Sequence, residues 1–140
     1  KSTALHKTKT VPYQYLYNGS ILLWSDKNGI HYLKDGAVSD IENESSDLDI
    51  YGNRYIFFSD DRQIYIYDIE TSQTVFTTNE GYGEKDFNYP YYSPSFALDE
   101  ESSRVCFVKQ NDESALSHYD SWEHGGYPEL ISVVDIKELS

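Results

Sequence analysis

The sequence predicts an all-β protein in which one antiparallel sheet design recurs, and three observations predict it. Apolar residues alternate with polar ones or gather in short β-branched and aromatic clusters, and helical spacing is scarce. Gly paired with Asn or Asp punctuates those clusters and supplies the turns. Sliding residues 17–33 by 34 positions aligns YNGSILLWSDKNGIHYL with YGNRYIFFSDDRQIYIY, which places Tyr17 on Tyr51, Leu23 on Phe57, Trp24 on Phe58, Ser25 on Ser59, Asp26 on Asp60 and Ile30 on Ile64.

The elements follow in order. Residues 1–10, KSTALHKTKT, carry Lys1, Lys7 and Lys9 and no acidic residue. They are expected as a basic N-terminal arm or, over residues 2–6, as a closing strand. The first unit, residues 11–45, is expected to place strands at 12–17, 20–25, 30–33 and 37–41, because Asn18-Gly19, Asn28-Gly29 and Asp35-Gly36 can supply the positive φ that tight hairpins need. The second unit, residues 46–79, repeats the plan at 47–51, 54–59, 64–69 and 74–78, with Gly52-Asn53 at its first turn. Asp26 and Asp60 follow equivalent serines and read as turn residues whose carboxylates bond backbone N–H groups. The third unit, residues 92–140, is split: strands are expected at 95–98, 104–109 and 130–136, RVCFVKQN matches the first half of the hairpin, and ISVVDI matches IYIYDI at an offset of 67. The extra residues fall between those two strands.

A few short antiparallel strands repeated about every 40 residues make the blade of a β-propeller. The stretch YSPSFALDEESSRVCFVKQ, followed by ISVVDI, resembles the repeat of TolB-type propellers, which prolyl oligopeptidase relatives share. Pro94, Ser95, Phe96, Asp99, Arg104, Phe107, Val108, Asp135 and Ile136 carry the resemblance; Leu98 stands in place of the turn proline and Glu100 in place of the glycine. A single domain over residues 1–140 would then hold about three blades, whereas propellers close with four to eight. The fold expected is therefore a partial or oligomer-completed propeller. A piece of a longer propeller is the preferred reading and a six-bladed dimer the second, since open sheet edges invite pairing with another chain. The resemblance also favours a secreted or periplasmic location, although the residues alone do not fix a compartment.

Composition excludes several functions. Eleven Lys plus Arg stand against twenty-four Asp plus Glu in 140 residues, a net charge of −13, so phosphate backbones are repelled and nucleic acid is not an expected partner. The longest apolar runs, such as 55–58, are far shorter than the ~20 residues of a membrane-spanning helix. Cys106 is the only cysteine, which excludes an internal disulfide and a thiolate zinc site; mid-strand between Val105 and Phe107, it reads as a small buried apolar residue. No Gly-x-Ser-x-Gly elbow and no phosphate-binding glycine loop is present, and catalysis is not expected.

Binding is the expected function, and long loops on a rigid scaffold are its usual seat. In the insertion, His118, Tyr119, Trp122, His124 and Tyr127 are the expected contacts with a protein partner, joined by Tyr82, Tyr91 and Tyr92 from the segment before the third unit. His118, Asp120 and His124 offer imidazole and carboxylate ligands, but their spacing is not that of a helical zinc pair, so no metal and no cofactor is expected. Asp40, Glu42, Glu44, Asp47 and Asp49 read as solvated loop charge. Two other readings stand beside this one: the resemblance implies the non-catalytic regulatory propeller of a serine peptidase, and Trp24 or Trp122 would serve a carbohydrate-binding propeller by stacking on sugar.

Overall fold

A computed structural model gives the fold and describes residues 1–43, 47–60, 63–78, 96–110 and 129–139. Three antiparallel sheets account for more than half of them. The first holds β1 (Gln14–Tyr17), β2 (Ile21–Asp26), β3 (Gly29–Lys34) and β4 (Ala37–Ile41), hydrogen-bonded in chain order. The second repeats that order with β5 (Asp47–Tyr51), β6 (Tyr55–Ser59), β7 (Ile64–Asp68) and β8 (Gln73–Thr77). The third holds β9 (Phe96–Asp99), β10 (Arg104–Gln110) and β11 (Glu129–Asp135), and a short 3-10 turn, Ile136–Glu138, ends the described chain. No α-helix occurs among the described residues.

The turns use the expected chemistry. Asp35 and Gly36 both take positive φ, 53° and 80°, which is the two-residue hairpin between β3 and β4. Gly29 has a φ of 123°, and a Cβ there would stand 2.9 Å from the Ile41 carbonyl oxygen, so the close approach of β3 to the end of β4 requires glycine.

The repeat seen in the sequence survives in the pairing register. Ser25 faces Ile30 across β2 and β3, and Ser59 faces Ile64 across β6 and β7, at the offset of 34. Tyr17 and Tyr51 depart from it. Tyr17 pairs with Leu22 but Tyr51 pairs with Tyr55, so β1 lies on β2 one residue out of step with β5 on β6. In the third sheet β10 matches β6 at an offset of 49 and β11 matches β7 at 67, so Arg104 pairs with Asp135 as Tyr55 pairs with Asp68. One further bond recurs at 2.8 Å: the Ile69 amide donates to the Arg54 carbonyl, and the Ile136 amide to that of Ser103.

The sheets stack face to face with the second in the middle. One apolar cluster joins Ile21, Leu23, Ile30, Tyr32 and Ile41 of the first sheet to Leu48, Ile50, Ile56 and Phe58 of the second. Another joins Tyr55, Phe57 and Ile66 of the second to Val105 and, just past β11, Ile136. Successive side chains of a strand point to opposite faces, so β6 sends Ile56 and Phe58 one way and Tyr55 and Phe57 the other. That is why its sequence is an unbroken apolar run: every residue from Tyr55 to Ser59 is buried. Polar contacts stitch the sheets at one end. Asn18 donates to the Gly52 carbonyl at 2.7 Å, Lys34 to the Asn53 carbonyl at 3.2 Å, and the Tyr51 and Ser103 hydroxyls lie 2.6 Å apart.

Two expectations need correction. Cys106 is half-buried rather than buried, because it lies on the face of the third sheet turned away from the second, where no described sheet covers it. Residues 1–10 form no strand; the last backbone bond on their side is from the Tyr13 amide to Ser25, after which the arm leaves the edge and crosses the outer face of the first sheet.

Candidate functional site

The outer face of the first sheet gathers the densest set of interacting polar and aromatic side chains among the described residues. Pairing across four strands aligns Tyr15, Trp24, His31 and Asp40 in one row, and Tyr17, Leu22, Leu33 and Val38 in the next. Asp26 ends β2 beside the first row. The arm lies over it: the His6 ring meets Trp24 at 5.1 Å between centroids and a tilt of 36°, Trp24 meets His31 at 5.4 Å and 37°, and the Thr10 hydroxyl bonds Asp26 Oδ2. Trp24 is consequently only 4% exposed, although it faces away from the stack of sheets. A cavity of about 350 Å3 remains between arm and sheet, with Lys7, Lys9, Val38 and Asp40 in its wall.

His31 is held from both sides. Its Nε2 lies 2.8 Å from Asp26 Oδ1 and its Nδ1 lies 2.6 Å from Asp40 Oδ1. A carboxylate oxygen only accepts, so with Asp26 and Asp40 ionised this geometry favours the imidazolium, which donates from both ring nitrogens. Burial opposes that charge, but the hydrogen bonds and charges of Asp26 and Asp40 outweigh it and raise the His31 pKa. The same geometry acts on Asp26 in reverse: burial pushes its carboxyl up, yet hydrogen bonds from Thr10, His31 and the Asn28 amide bring it below the usual carboxylate range. An imidazole that donates from both nitrogens has no lone pair left for a metal or for a substrate's proton. Its role is to tie β2, β3 and β4 together under the arm.

The second sheet contains the same constellation in another setting. Trp24, Asp26 and His31 correspond to Phe58, Asp60 and Tyr65 at the offset of 34. Phe58 stacks on Tyr65 at 4.8 Å, the Tyr65 hydroxyl donates to Asp60 Oδ2 at 2.6 Å, and the Asp60 Oδ1 accepts from the Gln63 amide as Asp26 Oδ1 accepts from Asn28. There the aromatic pair is covered by the first sheet; on the first sheet it is covered by the arm.

The expected contact residues lie elsewhere. His118, Tyr119, Trp122, His124, Tyr127, Tyr82, Tyr91 and Tyr92, and the metal candidates His118, Asp120 and His124, all fall outside the described residues. Among the described residues no cluster of three or more His, Cys, Asp or Glu side chains could hold a metal, and no helix is long and apolar enough to cross a membrane. Asp40 keeps 66% of its side chain exposed, as solvated charge does, and its carboxylate is also one of the two that hold His31. Trp24, only 4% exposed beside His6 and His31, presents no open ring face to a sugar in this arrangement.

The far end of the stack is a second candidate surface. Val133 and Ile131 of β11 correspond to Ile66 and Ile64 of β7, which are 0% and 1% exposed, yet Val133 is 58% and Ile131 78% exposed. The chain matches no protein-family model and no curated protein.

Proposed function

We propose that this chain is a non-enzymatic protein-binding module, a set of blades from a TolB-like β-propeller, whose partner is a β-sheet with the apolar pattern of its own sheets. One observation carries the reading. The outer face of the third sheet places Ile131 and Val133 where the second sheet buries Ile64 and Ile66, and leaves both exposed. An apolar sheet face of this kind is an interaction surface. The stack of like sheets, each covering the next, supports the propeller form, as does the contact between β1 and β5, the first strands of two sheets. A second copy of the chain supplies a sheet of the required kind.

The test uses Cys106, which sits between Ala97 and Val133 on that face and is the only cysteine. Sedimentation velocity should give a mass that rises above 16.2 kDa with concentration, and labelling of Cys106 by a maleimide should slow in step. The double variant Ile131→Glu, Val133→Glu should stay monomeric and label at a constant rate. A wild-type chain that stays at monomer mass with unchanging Cys106 labelling would overturn the reading.

A further inference from the structure

We propose that residues 6–10 are a displaceable cover: on the outer face of the first sheet they hold the seat that a sheet of a second copy takes when two chains stack. The inference rests on the protein-binding reading above and adds how that binding is restrained.

Phe58, Tyr65 and Asp60 mark the face of the second sheet on which the first sheet sits. Trp24, His31 and Asp26 are the same marks on the first sheet, and the arm lies on them through His6 and Thr10. The seat is therefore of the kind the chain already fills with a sheet, and two copies stacked end to end would continue that interface. The arm covers it incompletely. Tyr15 and Tyr17 of the same face remain 73% and 56% exposed, and Val38 is exposed at the opposite edge of the sheet. The cover is also light: Leu5 is exposed, and the chain from Lys1 to Lys7 lies at the surface. A sheet and the arm cannot occupy Trp24 together, so the arm must leave before the second copy seats.

The experiment compares the wild-type chain with His6→Ala, Thr10→Val, which removes both side-chain holds and leaves the sheet intact. Hydrogen exchange at residues 6–13 and trypsin cleavage after Lys7 and Lys9 report the arm; sedimentation velocity reports stacking. The variant should lose protection of the arm, and its association should tighten about ten-fold, the effect of one interaction of ordinary strength. Adding Val38→Glu should abolish the gain while leaving Cys106 labelling of the monomer unchanged, which separates this face from that of the third sheet. A variant whose arm is freed but whose association does not tighten overturns the cover. Should association tighten and survive Val38→Glu, the seat lies elsewhere and the proposal is equally wrong.

Discussion

Arg54 grips Asp68 with two prongs, Nε to Oδ1 at 3.0 Å and a terminal nitrogen to Oδ2 at 2.9 Å, from the residue just before β6 to the last residue of β7. Asp68 is buried, and its remaining capacity goes to the Glu70 amide. The guanidinium is steadied in turn by Glu70 at 3.3 Å and by the Tyr55 ring beneath it. Hydrogen bonding from Arg54 holds the Asp68 carboxyl below its ordinary range despite burial. Asp68→Asn should cost about 2 kcal/mol, the scale of hydrogen bonds to charged groups. Urea denaturation measures it, and a double-mutant cycle with Arg54→Gln should show strong coupling.

The middle sheet carries both cores, and its two phenylalanines answer to different neighbours. Phe57 packs toward the third sheet, where Phe96 lies 6.0 Å away between ring centroids, and Phe58 packs toward the first. Phe57→Ala should lose about 4 kcal/mol, as expected for emptying a fully buried aromatic site. Hydrogen exchange in this variant should rise more in β10 than in β2, and the reverse should hold for Phe58→Ala.

Stability should pass through a broad maximum in pH. Asp26 and Asp68 have lowered folded-state values, so their contribution is complete above about 3.9 and is lost as pH falls through those lowered values. His31 has a raised value, so its contribution is complete below about 6.5 and is lost as pH rises through the raised value. Urea midpoints measured from pH 2 to 9 should show the plateau between these limits. His31→Gln should flatten the alkaline decline and leave the acid limb from Asp68 in place.

Ser25 and Ser59 occupy the same place in two sheets, and both hydroxyls are buried with no hydrogen-bond partner among the described residues. Each serine pairs with an isoleucine on one side, Ile30 or Ile64, and with a polar residue on the other, Gln14 or Asp47, but neither polar side chain bonds the hydroxyl. Replacing either serine with alanine should therefore leave stability unchanged or raise it by up to about 1 kcal/mol. Thermal denaturation of the single and double variants would measure the change, and a loss of more than 1 kcal/mol would contradict the account.

The strands were legible because sheet burial writes a short period into the chain. Even β6, which breaks the alternation, announces its double burial through an apolar run. The site was less legible because it depends on register. His31 meets Asp40 only once Asp35-Gly36 folds β4 back by two residues, and nothing in the acidic stretch singles Asp40 out from its neighbours. A usable signal did exist in the repeat: Asp26 and His31 stand where Asp60 and Tyr65 stand, so a polar aromatic five residues after an aspartate occurs in both copies. The arm left no such trace. Its place on Trp24 comes from two side chains, His6 and Thr10, within a segment whose composition is that of an ordinary exposed terminus.

Gln110 and Glu129 are paired neighbours across β10 and β11, and Ile136 still bonds Ser103 as Ile69 bonds Arg54. The third sheet thus departs from and rejoins the common plan at one doorway, with its ladder undisturbed by what is spliced there. Such a junction lets evolution, or an engineer, exchange the intervening sequence for one of different length without redesigning the layers below.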